Sequence, residues 1–417
     1  MEVPVDAPVD VLVVNAGSAT LKLALLGPDD TLLGARELAA PAGRADLSEV
    51  RTALDELLSR RTGRPGPGQG EAAVGQLAVG HRIVHGGTEF VAPVRVDDAV
   101  AARLAGLTAL APLHQPAALA ALDEVREVLP DAVQVACFDT AFHATLPPAA
   151  ATYAVPAAWR ERYGVRRYGF HGLSHSYASR RAAELAAAAG AGARRVVTCH
   201  LGSGASLAAV RDGVSVDTTM GFTPLAGLVM ATRSGDVDPG MLLWLQTSAG
   251  LSAEELTDGL SHASGLVALA GTADMRAVVE LAGLDPGLSG DRPVGAEPCR
   301  RSDRRPEDPA REAAALALAV YLHRLRAGVA AMAASLEGLD VLVFTGGVGE
   351  RSAAVRAAAA AGLAFLGVGI DLVRNAGQGV AGDLDITAAG APVRTFVIAA
   401  REDLEIARGV RGVLRDG

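Results

Sequence analysis

The side chains best suited to chemistry come in short clusters, each beside a glycine. Val11-Leu12-Val13-Val14 runs into Asn15-Ala16-Gly17-Ser18, and an alternating run, Thr20, Leu21, Lys22, Leu23, Ala24, leads away. That pattern reads as strand, corner, strand. Gly17 allows a positive φ at the corner, while Ser18, Thr20 and free backbone N–H groups are donors that suit an anion such as phosphate. Lys22 is the only lysine in the chain, the other 37 of the 38 basic residues being arginines, and Asn15 is one of two asparagines, with Asn375. The corner returns at His200-Leu201-Gly202-Ser203-Gly204, where aligning Gly17-Ser18 with Gly202-Ser203 sets AGSATLKLAL beside LGSGASLAAV. A third glycine turn, with Gly347, Val348 and Gly349, closes VLVFTGGVGE at 341–350. None of the three is GxxxxGK[ST], which excludes a P-loop.

Other clusters offer cations and acids. In HRIVHGG, residues 81–87, Arg82 and Val84 share one face of a strand, a pairing that suits a small carboxylate with a short apolar tail. VQVACFDTAFHATLP places Asp139 at the end of an apolar strand, a site for catalysis or metal positioning and equally for a helix cap. Seven of the nine histidines (His81, His85, His114, His143, His171, His175 and His200) fall between 81 and 200, inside these turn motifs. No spacing matches a zinc site, and the His171/His175 pair lacks the HExxH glutamate, so phosphate hydrogen bonding is the preferred reading.

The elements that must position these groups alternate. Helical pattern covers about 47–60, 97–110 and an Ala-rich 311–336, and a buried-type strand covers 76–84. Strand-to-glycine turns recurring among helices imply an α/β fold with ligands at the strand ends. The repeat implies two domains of like topology, each offering a phosphate-gripping hairpin to a shared cleft. At 417 residues the length suggests two or three domains, of which two are expected. A net charge of −9 argues against nucleic acid as partner. The longest unbroken apolar run, Ala357 to Ile370, is short of the roughly 18 residues a membrane helix needs. The acidic N-terminus lacks a signal peptide's positive region, and the widely spaced Cys137, Cys199 and Cys299 suit a reducing cytoplasm.

NAGSATLK, HRIVHGG, APLHQP, FDTAFHATLP, YGFHGLSH, HLGSGAS, MGFTPLAGL with MATRSGDVDP, and FTGGVGE together resemble the acetate kinase family, nearly end to end and in that family's order. The resemblance implies two duplicated actin-like ATPase (ribonuclease H-like) domains flanking a central cleft, within the acetate and sugar kinase/Hsp70/actin superfamily. It implies phosphoryl transfer from ATP to acetate with Mg²⁺, Mn²⁺ serving as a substitute, in a cytoplasmic homodimer. By it, Arg82 and Arg233 bind the carboxylate and the transferring phosphoryl group, His171 and Arg233 stabilise the transition state, and Asp139 positions the acid or the metal. Asn15 and Glu402 are the metal pair; Ser18, Thr20, Lys22, His200, Leu201, Gly202, Ser203 and Gly204 line the phosphates. Asp274, Met275, Arg276, Gly347, Val348, Gly349 and Arg351 lie by the nucleotide, and Val84, Leu113, Phe170 and Pro224 form the acid's apolar pocket.

Departures from the family gather on the nucleotide side: Ser203 for asparagine, Leu173 for threonine, Gln115 for asparagine in HNP, Arg351 for the asparagine of GENS, and a polar, Pro-rich insertion at 283–310. The expected domains are 1–150, completed by a C-terminal helix in 388–417, and 151–387. The rivals are a propionate or butyrate kinase, a pyrophosphate-dependent acyl kinase, a non-catalytic Hsp70/actin-like regulator, and a metal-dependent hydrolase.

Overall fold

The computed structural model describes residues 9–17, 20–41, 45–61, 76–112, 114–284, 308–377 and 382–416. Ser18, Leu113 and most of the 283–310 insertion lie outside them. The chain divides into two compact units, Met1–Ala144 with Gly172–Tyr177 and Arg401–Gly417, and Thr145–His171 with Ala178–Ala400.

The first unit is built on six strands: β1 Val9–Ala16, β2 Thr20–Leu26, β3 Leu32–Ala39, β4 Gln76–Ile83, β5 Val94–Arg95 and β6 Val133–Phe138. Their order in the sheet is β3-β2-β1-β4-β6-β5, with β1, β4 and β6 parallel. Because successive side chains point to opposite faces, the apolar run of β1 supplies two cores. Leu12 and Val14 pack with Leu54, Leu57, Ala121 and Val125 of the helices Leu47–Ser59 and Gln115–Val128. Val11 and Val13 pack with Ile406 and Val410 of the C-terminal helix Glu402–Asp416. Gly80 of β4 permits that last approach, since a Cβ there would meet Ile406 Cγ2 at 2.4 Å.

The second unit repeats the plan. Its strands are β7 Arg195–Leu201, β8 Ala205–Arg211, β9 Val214–Thr218, β10 Val341–Thr345, β11 Leu384–Asp385 and β12 Arg394–Val397, ordered β11-β12-β10-β7-β8-β9. Read from the opposite edge, this is the order of the first sheet, with the same parallel and antiparallel pairs. The fold is α/β with a duplicated six-stranded sheet.

The long helix Pro309–Leu336 is, by length and composition, apolar enough to cross a membrane. It buries Leu318, Tyr321, Leu322 and Leu325, and its Gly328 meets Leu207 of β8, as a core helix does.

Three details differ from expectation. Residues 388–400 belong to the second unit, because β12 pairs with β10, and the terminal helix starts only at Glu402. Gly172–Tyr177 belongs to the first unit, because the Gly172 N–H donates to the Asp139 carbonyl at 2.9 Å and Leu173 packs among Val11 and Val13. Gly17 does not take a positive φ; its N–H instead donates to the Thr20 carbonyl at 2.8 Å, and a Cβ would stand 3.4 Å from that oxygen.

Candidate active site

In the first unit the C-terminal ends of three parallel strands and one helix start converge. Asn15 comes near the end of β1, Arg82 near the end of β4, and Asp139 directly after β6, its N–H continuing the ladder to the Ile83 carbonyl at 3.0 Å. Glu402 arrives at the N-terminus of the C-terminal helix, where the macrodipole favours acids. Arg82 ties them together. Its Nη2 donates to Asp139 Oδ2 at 2.6 Å, its Nε to Asp139 Oδ1 at 3.3 Å and its Nη1 to Asn15 Oδ1 at 3.2 Å, with Glu402 Oε2 3.6 Å from Nε. Asn15 Nδ2 also donates to Glu402 Oε2 at 3.2 Å.

Asp139 is 1% exposed, and burial raises its pKa to about 6; Arg82 opposes the shift and Glu402 adds to it. Burial works against the Arg82 charge as well, but Asp139 and Glu402 outweigh it, so the guanidinium stays charged. Two carboxylates and an amide oxygen around one cation leave an excess of negative charge on hard oxygen donors. That is the donor chemistry of Mg²⁺, which uses one or two carboxylates and completes its shell with waters and substrate phosphates. Among the described residues no three His, Cys, Asp or Glu side chains cluster to hold a metal unaided.

The loop after β4 is held from beneath. Gln115, fully buried, accepts the His85 N–H at 3.2 Å and donates to the His85 carbonyl at 3.1 Å, while Thr140 Oγ1 accepts the Gly86 N–H at 3.0 Å. The glutamine standing for the family's asparagine thus positions the loop. Val84, one residue past β4, is buried. Lys22 lies on β2 with its Nζ 3.7 Å from Glu37 and its side chain 60% exposed; Thr20 begins the same strand.

The second unit gathers a different set. His171 sits at φ 56°, a left-handed conformation that non-glycine residues rarely hold, just ahead of the helix Gly172–Ala188. Its Nδ1 lies 2.9 Å from Ser206 Oγ, and its ring stacks on His200 with centroids 4.4 Å apart. A Cβ on Gly204 would stand 3.2 Å from His171 Nε2 and 3.5 Å from Arg233 Nη1, so a side chain at this corner would crowd the histidine ring. Arg233 Nη1 donates to the Pro224 carbonyl at 3.1 Å, and burial pushes the Arg233 pKa down. The Ala231 N–H donates to the Ser203 carbonyl at 3.1 Å, which locks the arginine's loop to the β7–β8 corner. Phe170 is buried in this unit and Pro224 half-buried, whereas Val84 belongs to the first.

A cavity of about 720 Å³ also lies in the second unit. Of the expected nucleotide residues it brings together Gly202, Ser203, Asp274, Met275, Arg276, Gly347, Val348 and Arg351. His200, Leu201, Gly204 and Gly349 are close in sequence but not on its wall. Among the wall residues that escaped the sequence reading are Arg356 and Asn375. The rarity of asparagine was the only signal for the second, and nothing marked the first among so many arginines.

A family model described as the acetokinase family matches residues 69–289 and 286–408. An acetate kinase from Synechococcus sp. is 42% identical, covering 97% of this chain and 99% of its own, and one from Nostoc sp. is 42% identical over 95% and 98%. Among solved structures, a propionate kinase from Francisella tularensis superposes with TM-score 0.79 at 32% identity, covering 97% of this chain and 99% of its own. The Porphyromonas gingivalis acetate kinase gives 0.78 at 32%, with the same coverage.

Proposed function

The chain belongs to the acetokinase family, and we propose that it carries out reversible, magnesium-dependent transfer of the ATP γ-phosphoryl group to acetate. The observation that carries this reading is the cluster of Arg82, Asp139, Asn15 and Glu402 at the ends of β1, β4 and β6. An arginine oriented by buried acids is a preorganised receptor for a carboxylate.

In this mechanism Arg82 holds the acid, and Asp139 fixes the plane of its guanidinium. An acetate oxygen attacks the γ-phosphorus; the new O–P bond forms as the bridging bond breaks, and its electron pair leaves on the β-phosphate oxygen of ADP. Acetate is already ionised at neutral pH, so no proton is removed and no general base is needed. Charge spread over the equatorial oxygens is met by Arg233 and by His171, whose ring is oriented by Ser206. Asn15, Asp139 and Glu402 would hold Mg²⁺, or Mn²⁺ in its place, which supplies positive charge to the phosphate oxygens. Val84, buried just past β4, would line the pocket for the methyl group. Such a pocket discriminates by only about 1 to 3 kcal/mol per methylene, so propionate is a poorer substrate rather than an excluded one. Propionate remains the second reading, because the solved propionate kinase resembles this chain as closely as the solved acetate kinase does.

Trapping acyl phosphate with hydroxylamine tests the reaction, with acetate or propionate as acceptor and ATP or pyrophosphate as donor. Hydroxamate formed with ATP and lost in Arg233→Ala is the expected result. Product with pyrophosphate alone would refute the nucleotide assignment, and product with neither would refute the kinase.

We also propose a homodimer. The helix Pro239–Thr247 in the second unit buries none of its residues and leaves Met241, Leu243 and Trp244 exposed, Leu243 by 63%. An apolar face of that kind is suited to a second copy. Light scattering should give twice the chain mass for wild type and the single mass for Trp244→Glu; a monomeric wild type would refute the dimer.

A further inference from the structure

The cavity of the second unit has a buried cation to which, among the described residues, no carboxylate is bonded. Arg356, in the helix Ala353–Ala361, is 3% exposed. Its Nε donates to Asn375 Oδ1 at 2.7 Å, its Nη2 to the Asn375 carbonyl at 2.7 Å, and its Nη1 to the carbonyls of Gly349 and Glu350 at 2.9 and 2.7 Å. Every one of these acceptors is uncharged. Asn375 Nδ2 donates in turn to the Ala353 carbonyl at 2.9 Å, which fixes the amide with its oxygen toward the guanidinium.

A buried guanidinium ordinarily meets a carboxylate, and aspartate has the same shape as the asparagine used here. Burial pushes the Arg356 pKa down to about 10, which leaves it charged at neutral pH. The other charges on the cavity wall are differently placed. Asp274, Arg276, Glu280 and Arg351 are exposed, and Arg276 lies 3.5 Å from Asp274, so water and salt screen them. Glu350 is partly buried, and its Oε1 accepts the Ala400 N–H at 3.0 Å. Arg356 is therefore the charge on this wall that solvent screens least.

We propose that Asn375 keeps Arg356 unneutralised, so that its charge selects the polyanionic nucleotide while its hydrogen bonds hold the last turn of the short helix Gly346–Arg351. Arg356 is then a positioning and charge-selecting residue. The inference rests on the nucleotide reading of this cavity. A purely structural pin would tolerate a carboxylate at 375, where a charge-assisted pair with Arg356 offsets the lost donor to the Ala353 carbonyl.

The Asn375→Asp variant separates these cases, because it keeps the shape and supplies the missing negative charge. Its thermal midpoint is expected to stay close to that of wild type, the new ion pair offsetting the lost donor to Ala353, while calorimetric affinity for ATP and ADP falls about tenfold and the nucleotide KM rises in step. The acid KM and the kcat at saturating nucleotide are expected to stay within about twofold. Arg356→Lys is the companion variant, keeping the charge and giving up the forked contacts; it should lose stability but less nucleotide affinity than Asn375→Asp. Wild-type nucleotide affinity in Asn375→Asp, or a larger affinity loss in Arg356→Lys, overturns the inference and leaves the kinase standing. A wild-type protein that binds no nucleotide removes the kinase reading and the inference together.

Discussion

At the end of β4 the first unit surrounds Arg82 with Asp139 and Glu402, whereas beside β10 the second unit surrounds Arg356 with the neutral oxygens of Asn375, Gly349 and Glu350. The two sheets have the same strand order, so the contrast comes from side chains: Arg82 sits on a strand, Arg356 on a helix that follows one. Acid-rich oxygen donors with one arginine suit a carboxylate and a hard cation. Glycine corners with arginines and histidines suit phosphates. One scaffold thus carries two charge patterns, centred on an arginine of a strand in the first unit and on an arginine of a helix in the second.

The largest test of that contrast is Arg82→Met. It leaves Asp139 buried beside Glu402 without a counter-ion, and breaking a buried pair in this way costs about 3 to 5 kcal/mol. Urea unfolding should show that loss together with at least a ~10³-fold fall in kcat/KM. Adding Asp139→Asn should restore much of the stability and none of the activity; recovery of both would mean that the cluster is only structural.

A second difference between the units concerns protons. β4 carries His81, 1% exposed, with Nε2 2.7 Å from Gln134 Oε1, while the equivalent β10, VLVFT, has no titratable side chain. Burial, with a smaller push from Arg126 and against the Gln134 bond, lowers the His81 pKa from 6.5 to about 4. The neutral ring thus favours folding fully above pH 6.5, and the contribution drains away as pH falls toward 4, by up to about 3 kcal/mol. Hydrogen exchange corrected for intrinsic rates should show β4 losing protection at higher pH than β10. His81→Gln should flatten that difference, and an equal loss in both sheets would contradict it.

The smallest effect separates neighbouring glycines of the second unit. Gly346 has φ 76° and a Cβ there would meet Leu201 backbone at 2.9 Å, but at Gly347 nothing lies within 4 Å. Gly347→Ala should keep or slightly raise stability, by about 0.5 kcal/mol, and raise the nucleotide KM severalfold. An unchanged KM would place the nucleotide elsewhere than against this turn.

Much of this was legible in the chain itself. The hairpins at Gly17 and Gly202, the strands 76–83 and 133–138 and the long alanine-rich helix follow from alternation, glycine corners and apolar runs, which adjacent residues decide among themselves. The likeness of AGSATLKLAL to LGSGASLAAV foretold the duplicated sheet for the same reason. Arg82 and Asp139 were visible because each stands at the end of an apolar run. The pairing of Asn15 with Glu402, 387 positions away, came from the resemblance and not from any periodicity, since their hydrogen bond depends on Gly80 letting the terminal helix settle on β4. Only the folded chain decided that Asn375 would cap a buried arginine and that a strand at 394–397 would join the second sheet. Contacts so distant in sequence leave no periodic trace, because they arise from packing between elements and not from the preferences of neighbouring residues.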